Sequence, residues 1–304
     1  MALLSPQHSV LSFRGTRMKI IITGAGGLVG GACARRFARS HQVLALRHAD
    51  LDVTDGEAVR RRILSEMPQL VVNCAVLGVD ECERDPESAR AINVEAPRAL
   101  ACAAAETRAE FLHFSSNYVF GGDDAREFYT TDDEPRPVNV YGRTKLAGER
   151  AAREANARSY VVRTSWVFGA GKASSLSTAH RELLAGRSVR AITDTRASVT
   201  YVEDLTRRVE EILGRRRHGT YQVVNSGVCT YKDFAEEAAR LVGLSDAEAA
   251  RLIEPITEAE MNRAAPRPRN TPMRCLLSEE LGLAPLRDWR AALADYVACD
   301  LRGL

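Results

Sequence analysis

A tyrosine and a lysine four residues apart could carry acid–base chemistry in this sequence. Tyr141 and Lys145 stand where a helix is predicted to begin, and positions i and i+4 share one face of a helix. A phenol with its ordinary pKa of about 10 is a poor proton donor at neutral pH. A neighbouring ammonium favours the phenolate and lowers that pKa. The pair therefore predicts a proton donor that works near neutrality.

Further hydroxyl groups end a predicted strand, Phe111–Ser115, where Ser115 is followed by Ser116. Open α/β sheets bind their ligands outside the carboxyl ends of the strands. A serine at this position can donate a hydrogen bond to a reacting oxygen. The serine pair is therefore expected to lie near the tyrosine–lysine pair.

A glycine-rich turn follows the first predicted strand, Lys19–Thr23, and precedes a helical pattern. Gly24 permits a tight turn, Gly27 lets the backbone approach a pyrophosphate, and Gly30 allows close packing of helix on strand. The amino terminus of the following helix would face the phosphates. This strand–turn–helix context predicts a nucleotide-binding site.

The end of the second predicted strand bears on the choice of cofactor. NAD enzymes place an acid there to bind the ribose 2′-hydroxyl, whereas this sequence has Arg47 after Val43–Leu46. An arginine suits a 2′-phosphate, so NADPH is favoured, with NADH possible and a chance surface arginine as the alternative. Asp52 is a candidate for contacting the adenine.

Short apolar strands alternate with helices of 10–15 residues along most of the chain, which is typical of a parallel α/β sheet. After the first strand, helices are predicted over 55–67, 91–107, 140–156, 176–184 and 231–242, and strands over 70–74, 111–115, 160–164, 189–192 and 221–224. Residues 1–17 do not resemble a secretory signal. We expect them to be a disordered leader or an upstream start.

Composition excludes several classes of partner. The net charge of +2 argues against nucleic-acid or membrane-surface binding, and no apolar run approaches the ~20 residues of a membrane span. The seven cysteines never form a C-x-x-C pair, which favours reduced core residues and a cytoplasmic location. The six histidines show no ligand spacing, so no metal is expected. Only four of the 42 basic residues are lysines, which makes Lys145 stand out.

Several segments together resemble the extended short-chain dehydrogenases/reductases, and more narrowly the dTDP-4-dehydrorhamnose reductases. The resemblance covers nearly all of Met18–Val297. The matching segments, in chain order, are Val71–Ala75, Val79–Glu83, Ser115–Phe120, Asn139–Glu149, Arg163–Gly169 and Arg267–Thr271.

The resemblance implies a Rossmann-type doubly wound parallel sheet with a smaller C-terminal α/β substrate-binding domain. The first domain would comprise 18–168 plus about 199–226, and the second about 169–198 plus 227–304. Ser116 would hydrogen-bond the carbonyl oxygen, Tyr141 would donate the proton, and Lys145 would hold the nicotinamide ribose. Further cofactor-binding residues would be Leu28, Val29, Val53 and Ala75, and the substrate-binding residues would be Leu77, Val79, Asn117, Tyr118 and Trp166.

The implied activity is NADPH-dependent reduction of a nucleotide-linked 4-keto-6-deoxy sugar, by an enzyme that forms homodimers. Leu77 and Asn117 depart from the family pattern beside the expected sugar pocket, so the sequence does not name the sugar. Arg267 and Arg269 could clamp a diphosphate or belong to an ordinary ordered loop. Two alternative functions stay open: an NAD-dependent sugar-nucleotide epimerase or dehydratase, and a non-catalytic subunit like the regulatory subunit of methionine adenosyltransferase.

Overall fold

The fold is described from a computed structural model, which covers residues 17–122 and 126–303. Most of the predicted leader lies outside these residues. The strands, in chain order, are β1 (Lys19–Thr23), β2 (Gln42–Leu46), β3 (Leu70–Asn73), β4 (Glu110–Ser116), β5 (Ser159–Thr164), β6 (Val167–Phe168), β7 (Val189–Ile192), β8 (Arg196–Ala197), β9 (Thr200–Tyr201), β10 (Gly219–Gln222), β11 (Asn225–Ser226), β12 (Ile253–Ile256), β13 (Asn270–Thr271) and β14 (Leu286–Asp288).

The helices pack against these strands, and six of the described helices lie in the C-terminal half. They are α1 (Leu28–Phe37), α2 (Gly56–Glu66), α3 (Val79–Arg84), α4 (Pro86–Arg90), α5 (Ala96–Glu106), α6 (Val140–Ala155), α7 (Ser175–Leu184), α8 (Val202–Arg215), α9 (Tyr231–Leu241), α10 (Asp246–Leu252), α11 (Leu276–Glu280) and α12 (Trp289–Leu301). A π-helical turn covers Ala91–Glu95, and 3₁₀ turns cover Asn117–Val119 and Ala259–Met261.

Six strands form a parallel sheet in the order β2-β1-β3-β4-β5-β10. Successive residues of β1, such as Ile20 and Ile21, point to opposite faces of the sheet and belong to different hydrophobic clusters. One cluster includes residues of α1 and α8, and the other includes residues of α2, α5 and α6. Helices therefore cover both faces, which confirms the predicted doubly wound α/β fold.

A separate cluster joins α7, α9 and α12, with Trp289 and Phe234 stacked 5.8 Å apart at its centre. Beside it, β7 pairs with β12 in parallel. We call this part of the chain the C-terminal lobe. The exact division into two domains made above stays a prediction.

The helix predicted over 91–107 differs from the observed helices. The α4 helix already begins at Pro86, with Asp85 as its amino-terminal cap, and it continues through the π turn into α5. Pro97 has no N–H to donate to the carbonyl of Asn93. One residue earlier, the N–H of Ala96 donates to the carbonyl of Ala91, five residues back, as in a π-helix. The wider turn is a local consequence of this proline. Within the described ranges, no helix is long and apolar enough to cross a bilayer.

Candidate active site

Tyr141 lies in the first turn of α6, where the helix start is fixed by Asn139. The Asn139 side chain caps the helix by accepting from the Gly142 N–H at 2.7 Å, and it also donates to the carbonyl of Pro266 at 2.7 Å. Gly142 is needed for close approach, since a Cβ there would lie 2.1 Å from the carbonyl oxygen of Tyr118. This contact brings α6 against the end of β4.

Ser116 ends β4 beside this helix start. Its hydroxyl accepts from the Tyr118 N–H at 3.2 Å and donates to Asn117 Oδ1 at 3.1 Å. The ring of Tyr118 meets the ring of Tyr141 edge-on, with centroids 5.7 Å apart. Ser116 is also close enough to Tyr141 to lower the pKa of its phenol. The structure thus brings together the serine and the tyrosine, which the sequence places 25 positions apart.

The environment of Tyr141 differs from the expectation in one respect. Burial raises the pKa of Tyr141 to about 12, although the hydrogen bond with Ser116 opposes this rise. The expected lowering by Lys145 is therefore wrong for this arrangement. The reason is visible at Lys145, whose amine is directed to other partners. A phenol with a raised pKa remains protonated at neutral pH, so Tyr141 carries a proton that it can donate in the free protein.

Lys145 is only 2 % exposed and lies one turn after Tyr141. Its Nζ donates to the carbonyl of Phe114 at 2.6 Å and lies 3.3 Å from His113 Nε2. Burial lowers the pKa of Lys145 to about 8. Glu149 opposes this shift, but Arg163 already pairs with both oxygens of that carboxylate, at 3.0 and 2.8 Å.

The glycine turn forms one wall of a cleft of about 620 Å³. A Cβ at Gly30 would lie 2.3 Å from the carbonyl oxygen of Gly24, and a Cβ at Gly24 would lie 2.5 Å from the backbone nitrogen of Ala75. The turn therefore depends on these glycines for its shape. The residues that line the cleft are Gly24, Gly26, Gly27, His48, Leu51, Asp52, Val53, Thr54, Cys74, Ala75, Val76, Ser88, Ile92 and Lys172.

The remaining predicted cofactor residues lie near this cleft without lining it. Arg47 is exposed, with its Cγ 3.9 Å from the Cβ position of Gly26. Leu28 faces the 169–172 turn, with Cδ1 3.4 Å from the Cβ position of Gly171, and Val29 packs toward the core. Sequence reasoning missed His48 and Lys172. For Lys172 the rarity of lysine was the one available signal.

The candidate substrate side lies beyond Tyr118. Trp166 adopts a left-handed backbone conformation with φ of 41°, which is unusual for a bulky residue. Its ring packs on Tyr231 of α9 with centroids 4.0 Å apart. Asn117 Nδ2 donates to Thr271 Oγ1 at 2.7 Å. Leu77 is tied through its N–H to Asn93 Oδ1 at 3.1 Å, and Val79 begins α3.

A strap of residues 265–273 crosses from the C-terminal lobe to the sheet. Besides the contacts of Thr271 and of the Pro266 carbonyl, the Asn270 N–H donates to Gly122 O at 3.1 Å, and the Tyr129 N–H donates to Pro272 O at 2.7 Å. These bonds fasten the strap beside β4 and α6. The strap is therefore ordered and non-helical, which agrees with the ordered loop given above as one alternative for Arg267 and Arg269.

Arg267 on the strap pairs with Asp80 of α3 through both terminal nitrogens, at 2.8 and 2.7 Å. This pairing occupies the two terminal nitrogens of Arg267 that could otherwise clamp a diphosphate. Of the three guanidinium nitrogens of Arg267, only Nε is buried without a hydrogen-bond partner among the described residues. Arg269 is exposed. The diphosphate role of Arg267 and Arg269 thus gains no support from the geometry.

The ion pair predicts a pH-dependent stability. Arg267 lowers the pKa of Asp80 from 3.8 to about 2, so the stabilisation is complete above pH 4 and is lost as the pH falls toward 2. Asp80→Asn should lower the free energy of unfolding at pH 7 by about 1–2 kcal/mol. Denaturant unfolding of both proteins at pH 7 and pH 3 checks this. A difference that stayed constant over that range would contradict the assignment.

Among the described residues, no group of three or more His, Cys, Asp or Glu side chains is arranged to hold a metal ion. The parallel sheet, the glycine turn after its first strand and the Ser116, Tyr141 and Lys145 set instead define an extended short-chain dehydrogenase/reductase.

Comparison with known proteins places the chain within this class. It belongs to the family described as "RmlD substrate binding domain", whose model matches residues 18–301. It is 42% identical over 284 residues to the dTDP-4-dehydrorhamnose reductase of Mycolicibacterium smegmatis, covering 92% of this chain and 85% of that protein. It is 39% identical to a probable dTDP-4,6-dihydroxy-2-methyloxan-3-one 4-ketoreductase of Streptomyces antibioticus, covering 91% and 94%. The resemblance drawn from the sequence is confirmed.

Solved structures agree with this placement. A dTDP-4-dehydrorhamnose reductase of Clostridium acetobutylicum superposes with a TM-score of 0.86 at 32% identity, covering 94% of this chain and 100% of that one. The enzyme of the same name from Bacillus anthracis, solved in complex with NADP, gives a TM-score of 0.87 at 26% identity, covering 93% and 99%.

Proposed function

We propose that this protein is an NADPH-dependent oxidoreductase that reduces the keto group of a nucleotide-linked 4-keto-6-deoxy sugar. The single observation that carries the proposal is the meeting of Ser116 and Tyr141 at the carboxyl edge of the sheet, with Lys145 one turn farther along α6. The names of the relatives, dTDP-4-dehydrorhamnose reductase and a dTDP-sugar 4-ketoreductase, support the substrate class.

The glycine-turn cleft fits a dinucleotide. Gly24 and Gly30 have no room for a Cβ, and such a tight turn at a helix amino terminus lets backbone N–H groups approach a diphosphate. Asp52, Val53 and Ala75 line the same cleft. When bound, the nicotinamide cofactor supplies the hydride.

The chain's own residues provide the proton and the orientation. Tyr141, protonated at neutral pH, donates its proton to the carbonyl oxygen as negative charge develops there. Ser116 lies beside Tyr141, and its single hydroxyl hydrogen, which Asn117 Oδ1 accepts in the free protein, can turn to the substrate oxygen and stabilise the charge that develops there. Lys145 is held by Phe114 and His113, where we propose that it contacts the nicotinamide ribose. Trp166 and Tyr231 form an aromatic wall for the sugar.

The two alternative functions receive less support. The epimerase and dehydratase structures that resemble this chain share 16–18% identity with it, which shows the fold alone. A non-catalytic subunit would not require the Ser116–Tyr141 contact. Turnover of nucleotide-linked keto sugars with NADPH and NADH, followed at the nicotinamide absorbance, tests the proposal. A tightly bound cofactor that is never consumed would favour the epimerase, and copurification with a synthetase without turnover would favour the subunit.

Arg47 tests the preference for NADPH. Its exposed guanidinium beside the glycine turn can pair with a 2′-phosphate. Arg47→Ala should raise KM for NADPH by roughly tenfold and leave KM for NADH nearly unchanged. Arg39→Ala, an exposed arginine away from the cleft, serves as the matched control. An equal loss for both cofactors in Arg47→Ala would contradict a role in choosing between them.

The proposal includes a cytoplasmic location and a homodimer. A nucleotide-sugar substrate and free cysteines at all seven positions suit a reducing compartment. Sedimentation analysis of the purified protein tests the dimer. The two-domain division is also part of the proposal, with the sugar bound where the C-terminal lobe faces β4 and α6.

A further inference from the structure

A row of buried polar side chains crosses the sheet beneath the candidate active site. Thr23 of β1 is in register with Asn73 of β3, and Asn73 is in register with His113 of β4. All three are at most 1 % exposed. The row ends at Lys145 of α6, whose Nζ lies 3.3 Å from His113 Nε2. It therefore links the catalytic helix to the strand ends beside the glycine turn.

The hydrogen-bond directions in this row are determined by one backbone group. The Ala75 N–H, which can only donate, lies 3.0 Å from Asn73 Oδ1, and the Thr23 hydroxyl donates to the same oxygen at 2.8 Å. The oxygen of the amide is thus identified, and Asn73 Nδ2 is the atom 3.2 Å from His113 Nδ1. Because an amide nitrogen donates, His113 Nδ1 must accept.

A neutral imidazole that accepts at Nδ1 carries its hydrogen on Nε2. That hydrogen faces Lys145 Nζ, which can accept it only as an uncharged amine with a free lone pair. The Phe114 carbonyl takes one amine hydrogen, and one hydrogen remains for the active site. We infer that His113 is a positioning residue that favours the uncharged amine of Lys145, through a tautomer set by Asn73.

The other groups around Lys145 do not replace this contact. Glu149 on the same helix favours the charged form, but it is paired with Arg163 of β5. Cys74 after β3 and Cys82 of α3 are the other titratable neighbours that act on Lys145. Tyr141 lies one turn away on α6. Burial is the larger cause that lowers the pKa of His113 well below its usual value, and this agrees with a neutral ring; the charged form of Lys145 acts in the same direction.

The tautomer can be measured without any substitution. The ¹⁵N shifts of the histidine side chains distinguish a bare ring nitrogen from one that carries hydrogen. In the full-length protein we expect a bare Nδ1 and a protonated Nε2 at His113. The opposite pattern, or a doubly protonated ring at neutral pH, would overturn the inference.

The scarcity of lysine makes the second measurement direct. Protein labelled at the lysine side chains should give four signals, and Lys145→Met assigns the one of interest. His113→Gln can turn an amide oxygen toward Nζ and so favour the ammonium. We expect its Lys145 titration to move up by about one pH unit, whereas His218→Gln, just before β10, should leave it unchanged.

The inference rests on the proposed function only in assigning Lys145 to the reaction. Both measurements use the free protein, so they can succeed even if no keto sugar is turned over. In an active enzyme, the pH profile of kcat should shift with the titration in His113→Gln. Unchanged Lys145 titration with a lower melting temperature would leave His113 a merely structural residue and overturn the inference.

Discussion

Tyr141→Phe should lower kcat for a nucleotide-linked keto sugar by roughly 10²–10⁴-fold, the usual contribution of a positioned proton donor. The variant retains the ring, including its edge-on contact with Tyr118, and loses only the hydroxyl. The hydroxyl is the group that Ser116 contacts and that burial keeps protonated. Binding of NADPH and the melting temperature should therefore change little.

Stopped-flow measurement of a single turnover at saturating NADPH isolates the chemical step in this variant. Tyr160→Phe is a suitable control, because Tyr160 lies at the end of β5 away from the candidate active site and its hydroxyl donates to Glu110 at 3.4 Å. The Tyr160→Phe variant should retain the wild-type turnover rate. If Tyr141→Phe retained more than a tenth of the wild-type rate, another group would have to supply the proton.

Gly30→Ala should abolish measurable cofactor binding and destabilise the protein. The added methyl group would lie 2.3 Å from the Gly24 carbonyl oxygen and 2.8 Å from its carbonyl carbon. Neither atom belongs to a flexible side chain, so the turn or α1 must shift. Overpacking of this kind costs about 1–3 kcal/mol, and the displaced turn would no longer admit a diphosphate closely.

Gly56→Ala provides the matched comparison, since its added methyl group would meet only the Ala99 side chain at 3.9 Å. Melting curves and fluorescence titration with NADPH would be recorded for both variants. We expect Gly56→Ala to behave as the wild type does. Normal NADPH affinity in Gly30→Ala would show that the turn is not the cofactor cradle.

Local signals were sufficient for much of the fold and for the central site residues. The placement of Tyr141 and Lys145 on one face depends only on helix geometry. The glycine turn lies between β1 and α1, which are its immediate neighbours in the sequence. The parallel sheet followed from the alternation of strands and helices. The first two features were predictable because each is determined by residues close together in the chain, and the sheet was predictable because the alternation repeats along the chain.

The remaining features depend on contacts between distant segments. Arg267 and Asp80 are 187 positions apart, and no local pattern indicates that one neutralises the other. The contact of Lys145 with His113 depends on how α6 lies on the sheet. The pKa of Tyr141 was predicted in the wrong direction because the spacing gives proximity along the helix, whereas burial and the aim of the amine depend on tertiary packing.

The strap of residues 265–273 has a consequence for how this enzyme could acquire new sugars. One wall of the proposed sugar pocket is fastened by hydrogen bonds to the side chain of Asn139, which caps α6, and to the backbone of Gly122 and Tyr129 after β4, so changing its course would disturb Tyr141 as well. The opposite wall consists of Trp166 packed on Tyr231, two side chains that are only partly buried against the cluster of the C-terminal lobe. Selection for bulkier sugars should therefore accumulate substitutions at the aromatic pair and leave the strap almost untouched.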